Sequence, residues 1–214
     1  MFLCQKGLER PDRPYREPMF PWEHAVVGYI AYSLICHLVF RDSPSARESL
    51  LVLFGSLLPD LVDKPLAWQL GVFEGGYAIG HSVFFAVPIS ILVGLLAHRY
   101  GARRAGLAFV LGYLLHLPGD LISPYVERGD LEVEKLLWPI EQTGGTYSGG
   151  LIGGFLENFL PYLYQLLSLE LSIYSFLHLG LMGCAFLLWI YDGMPIFYEA
   201  TAEIRRVYVK EPRH

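Results

Sequence analysis

AIGHSVFFAVPISILVGLLA, residues 78–97, is a run of 20 residues without a formal charge, and IYSFLHLGLMGCAFLLWIY, residues 173–191, is another of 19. Either is long enough, as a helix, to cross a hydrocarbon core of roughly 30 Å. Two shorter runs, AVVGYIAYSLICHLVF (25–40) and AGLAFVLGYLLHL (105–117), gain length at their ends, and LLVLFGSLLP (50–59) needs neighbours within a bundle. The whole chain agrees with these runs. Of 214 residues, 53% are hydrophobic and 17% charged, against a charged fraction of about a quarter in soluble domains. The mean hydropathy is +0.38. These features predict an all-α, multipass transmembrane bundle of about five spans.

A further apolar run, GGLIGGFLENFLPYLYQLLSLELS (149–172), holds Glu157, Asn158 and Pro161, and reads as an interfacial or re-entrant helix. The expected organisation is a polar N-terminal segment (1–23), a helical membrane domain (24–191) with a lid loop at 118–150, and a basic tail (192–214). Residues 1–23 do not read as a signal peptide, being polar and Pro-rich. Cys4, Cys36 and Cys184 form no C-x-x-C pair and suggest no disulfide framework. A net charge of −5 without a basic stripe argues against nucleic acid as a partner.

Basic residues of short loops favour the cytoplasmic side. Arg41 and Arg47, then Arg99, Arg103 and Arg104, then Arg205, Arg206, Lys210 and Arg213 fall on one face if there are five spans. Lys6, Arg10, Arg13 and Arg16 oppose this orientation. The other, extracytoplasmic face then receives His24 at the start of the first helix and Asp60 at the end of the second. His81 near the start of the third and His116 to Asp120 at the end of the fourth join them there. Five metal-capable side chains from four segments are thus expected together.

The chemistry of each points the same way. His116 and Asp120 are spaced i, i+4 and share one helix face, and imidazole with carboxylate is a common ligand set for Zn²⁺. Pro118 and Gly119 between them predict a kink or an end to the helix. Asp60 and Asp63 follow Pro59, with Asp60 the better ligand or general base; Asp63, beside Lys64, reads equally as a solvated helix end. His81 precedes Ser82, and both Asp63 and Ser82 are candidates to support the ligands. His81 alone reads as readily as a core histidine bound to a carbonyl, and His24, near Trp22, as part of an interfacial belt. His37 and His178 are mid-span and read as structural.

Together WEHAVVGY, LLPDLVD, GHS, GYLLHLPGD and LLWP, in that order over residues 22–139, resemble the YdjM-type family of membrane-bound, metal-dependent hydrolases. That family is distantly similar to the zinc-dependent phospholipase C and single-strand nuclease superfamily. The resemblance implies one zinc site formed by Asp60, His81, His116 and Asp120, with His24 near a second ion. The superfamily's downstream histidines and H-x-x-x-E pattern are not found after residue 139, which leaves one or two ions as the expectation. The function expected is a zinc-dependent hydrolase acting on a phosphoester at the membrane interface, a phospholipid or related molecule. The rival is a non-enzymatic metal or small-solute transporter, which would need polar groups along the whole path.

Overall fold

The computed structural model describes residues 19–143, 149–168, 173–199 and 201. Among these every regular element is helical. Helix α1 runs Pro21–Ile35 and continues as a π-helical turn, Cys36–Phe40. Helix α2 runs Ala46–Lys64 and is followed by a second π-helical turn, Pro65–Gln69. Then come α3 (Val83–Arg99), α4 (Arg103–Arg128), a 3₁₀ turn (Val133–Leu136), α5 (Gly150–Leu167) and α6 (Ile173–Tyr191).

Polar residues set the ends of these helices. Ser45 accepts from the Glu48 N–H while Glu48 accepts from the Ser45 N–H, a reciprocal cap that starts α2. Arg104 then joins Glu48 and Asp42 at 2.9–3.0 Å, tying the start of α4 to the turn before α2. Ser82 accepts from the Phe84 N–H and starts α3. The uncharged run at 78–97 therefore becomes helical only after His81.

Helix α4 is the centre of the bundle, packed on α2, α1 and α3, while α6 lies on α1 and α5 packs mainly on the turn at 65–69. The α2–α4 contact is backbone on backbone. A Cβ on Gly55 would stand 2.3 Å from the Phe109 carbonyl oxygen, and one on Gly112 would stand 2.3 Å from that of Val52. Two glycines facing opposite helices thus permit an approach that any side chain would block.

The distribution of polarity is that of a membrane protein. Ser33, Ser49, Ser56, Asp63, His81 and His116 are buried, whereas Leu38 is 78% and Leu187 67% exposed. Large apolar side chains facing outward suit lipid rather than water. Two helical stretches, Pro21–Phe40 and Arg103–Val126, are long and apolar enough to cross a membrane, while the apolar helices Val83–Arg99 and Ser175–Tyr191 are shorter. The expectation of about five spans thus meets this test at two positions; charges at both ends of α2 remove it from the set.

Three expected boundaries shift. The helix does not end at Pro118: α4 continues to Arg128, closed by Gly129 at φ 71°. Residues 118–128 of the segment expected as a lid loop are helical, and its residues 144–148 lie outside the described part. The expected polar segment at 1–23 yields α1 from Pro21, with residues 1–18 outside the described part, as are 202–214 of the basic tail.

Candidate metal centre

The threading of α1, α2 and α4, with the loop before α3, brings all five expected ligands together. His24, Asp60, His81, His116 and Asp120 are each at most 5% exposed. His81 Nε2 lies 3.1 Å from His116 Nε2, 3.2 Å from Asp120 Oδ2 and 3.5 Å from Asp60 Oδ1. His116 Nε2 lies 3.3 Å from Asp120 Oδ2 and 3.9 Å from Asp60 Oδ1. A regular tetrahedron of ligands about 2.1 Å from a central ion has edges of about 3.4 Å. Five of the six edges of this donor set scatter around that length.

The tautomers explain why the two imidazoles face each other. His116 Nδ1 is 2.6 Å from the Ser56 carbonyl oxygen, an acceptor only, so Nδ1 carries the proton and donates it. His81 Nδ1 likewise donates to Asp63 Oδ2 at 2.7 Å. Both Nε2 atoms are left with lone pairs directed into the same space. Only a cation between them, a proton or a metal ion, makes that contact favourable. Burial opposes a charge on His81, which sits in the loop outside the helices. Hydrogen bonding to Asp120, Asp60 and Asp63 outweighs burial and raises its pKa well above that of an ordinary histidine.

Asp63 is not a solvated helix end. It is fully buried, and its carboxylate accepts the N–H groups of Ala78 (2.7 Å), Gly80 (2.9 Å) and His81 (3.1 Å) as well as the His81 ring. One side chain therefore shapes the loop and aims His81 Nε2 at the centre, the usual task of a carboxylate behind a ligating histidine. Ser82 does not reach the cluster. Its hydroxyl donates to the Trp138 carbonyl at 2.5 Å and caps α3, so its support is to the loop.

His24 occupies the edge of the cluster. Its ring stacks on that of His116 with centroids 3.8 Å apart, and Nε2 stands 3.3 Å from Asp120 Oδ1. Asp120 thus presents one oxygen to His24 and the other to the His81–His116 pair. Gly119 makes this possible, since a Cβ there would meet His24 Nδ1 at 2.9 Å. Two overlapping groups, His24–His116–Asp120 and Asp60–His81–His116, have donor atoms close enough to hold an ion.

Whether the site fits a metal ion can be judged from its own atoms. Both ring nitrogens of His24 and Asp60 Oδ2 are buried without a hydrogen bond. Buried polar atoms left so are costly, and coordination would satisfy several at once. Buried groups of imidazole nitrogen and carboxylate oxygen donors, three to a group, match the donor types that Zn²⁺ takes. The residues fit.

Sequence reasoning missed several participants. Lys64 Nζ pairs with Asp60 Oδ1 at 2.6 Å; their i, i+4 spacing was a readable signal. The Ser56 carbonyl left none, because any residue supplies a carbonyl. His178 Nδ1 stands 2.5 Å from Glu23 Oε1, beside His24 in the chain. At the other end of α1, Tyr29, Ser33 and His37 converge on Asp192 at 2.7, 2.7 and 2.6 Å, fastening α6 to α1.

Residues 19–196 match the family model described as YdjM inner membrane protein, and the chain belongs to that family. No curated protein and no solved structure matches it.

Proposed function

We propose that this membrane protein of the YdjM family is a zinc-dependent hydrolase acting on a phosphoester at headgroup depth, a phospholipid or a related molecule. The observation that carries the reading is the pair of Nε2 atoms 3.1 Å apart, with Asp120 Oδ2 and Asp60 Oδ1 at 3.2 and 3.5 Å from that of His81. His81, His116 and Asp120 hold the ion, and Asp63 and the Ser56 carbonyl fix the two rings that do so. When bound, zinc supplies Lewis acidity toward water and toward a phosphoryl oxygen.

Asp60 completes the cage through Oδ1 and accepts the proton of the attacking water at Oδ2, which has no other hydrogen bond. Water adds at phosphorus, the P–O ester bond breaks, and the proton taken up by Asp60 Oδ2 passes to the departing ester oxygen, which leaves as an alcohol. His24, facing Asp120 Oδ1, holds a second ion where one is bound. From the segment 129 to 143, Glu132, Glu134, Lys135, Gln142 and Thr143 line the adjoining cavity, which suits it to exclude bulk water there.

The proposed topology has α1, α2, α3, α4 and α6 crossing the bilayer and α5 lying at its surface. Arg41, Arg47, Arg99 and Arg103 then mark the cytoplasmic side, and the cage faces the other. The test is direct. Full-length protein purified in detergent is analysed for zinc and assayed for phosphate or phosphoalcohol release from mixed phospholipids. Stoichiometric zinc and turnover, both abolished in His116→Ala, support the proposal. Wild-type protein that carries no more zinc than His116→Ala overturns it.

A further inference from the structure

Beside the cage lies a cavity of about 590 Å³, with Asp60 and Lys64 on its wall. Lys64 is only 16% exposed at its side chain and has Asp60 Oδ1 as its partner at 2.6 Å. That same oxygen stands 3.5 and 3.9 Å from the Nε2 atoms of His81 and His116. An ion held in the cage therefore draws on the charge that Lys64 depends on. A largely desolvated ammonium that loses its counter-charge is costly unless another anion takes the place. Filling the cage thus creates a demand for an anion on the cavity side, within reach of Lys64.

The rest of the cavity says what else that anion carries. From the polar end the wall continues through Leu57 and Leu61 of α2 and Leu151 and Phe155 of α5. Leu61 is 55% and Phe155 44% exposed, so this wall runs out to the surface of the bundle. The apolar wall of the cavity is thus shared by α2 and α5, and α5 packs mainly on the turn at 65–69. Lys135, the other ammonium on the wall, is held by Glu132 at 2.8 Å, which leaves Lys64 as the cation released by filling the cage.

We infer that the cavity takes a phosphate-bearing lipid, with its phosphate between the cage and Lys64 and its hydrocarbon leaving between α2 and α5 into the bilayer. Lys64 is then the residue that selects a phosphate head over an uncharged one. The inference rests on the metal reading above and adds the direction from which such a lipid enters and the residue that discriminates.

The test uses zinc-loaded full-length protein in a phosphate-free maltoside detergent, with binding followed by calorimetry. Three probes separate the contributions: dihexanoyl phosphatidic acid, dihexanoylglycerol and glycerol 3-phosphate. Wild type is expected to prefer the first by about tenfold over either of the others, the scale of one charge-assisted hydrogen bond. Lys64→Met is expected to lose that preference over dihexanoylglycerol while keeping its zinc, and Lys64→Arg to retain it. Equal binding of glycerol 3-phosphate overturns the lipid part; equal binding of dihexanoylglycerol, or an unchanged preference in Lys64→Met, overturns the role of Lys64. Zinc content is measured separately on the same samples. Wild type without zinc ends both readings, whereas a zinc-loaded chain with no preference ends this one alone.

Discussion

Replacing Asp63 by asparagine isolates the support of the cage from the cage itself. Asp63 touches no other ligand directly, yet its Oδ2 accepts from the Ala78 and His81 N–H groups and from His81 Nδ1, and its Oδ1 accepts from Gly80. Asparagine keeps the volume but has a single carbonyl oxygen. If that oxygen takes the three-donor position, the amide NH₂ confronts the Gly80 N–H, donor against donor. The buried N–H so stranded costs about 1–3 kcal/mol. Loss of the carboxylate charge also makes His81 Nε2 a weaker base. Loss of such supporting carboxylates lowers metal affinity about 10–100-fold, or roughly 1.4–2.8 kcal/mol. Competition against a fluorescent zinc chelator in detergent measures the affinity, with far-UV circular dichroism to verify that the helices persist. Zinc affinity within about threefold of wild type, roughly 0.7 kcal/mol, with the helices intact, would refute the role given to Asp63.

Further outcomes follow from the same geometry. Gly112→Ala drives a Cβ to 2.3 Å from the Val52 carbonyl oxygen, and should cost about 3 kcal/mol or more, read as a lower melting temperature in detergent. Asp192→Ala strands Tyr29, Ser33 and His37; it should destabilise the fold by about 2–3 kcal/mol yet leave zinc content unchanged, as metal analysis and thermal melts on one preparation will show. Alkaline carbonate washing of membranes should leave the protein in the pellet, given its outward-facing leucines; release into the supernatant would contradict a spanning bundle.

The cage was legible because its donors are polar side chains set in or beside apolar runs. His116 and Asp120 announce themselves by spacing, and antiparallel threading alone brings His24, Asp60 and His81 to them. Asp63 was read as a candidate support, whereas the backbone that completes the support was not legible: the Ser56 carbonyl, and the three amides gathered by Asp63. Of the two outcomes expected at Pro118, a kink or an end, the end does not occur, for a related reason. The local rule that proline ends a helix was outweighed by packing, since α4 is clamped to α2 six residues earlier at Gly112. Asp192 escaped notice because its partners lie 155 to 163 residues away along the chain. Of the crossings expected, two meet the test of length and composition; an apolar centre, as in α2, does not by itself make a helix apolar over a full membrane thickness.

The glycine clasp between α2 and α4 has a bearing on which ions the protein can discriminate. Asp60 rides on one helix and His116 with Asp120 on the other, so the girth of the cage is set by two main chains already in van der Waals contact. Dilation would require prising those chains apart. Calcium, which wants six to eight oxygens at about 2.3–2.6 Å, and magnesium, which insists on an octahedron and parts with its waters reluctantly, would both strain that clasp. Rejection of the abundant alkaline-earth cations would then be a property of the scaffold, exerted by residues that never touch the ion.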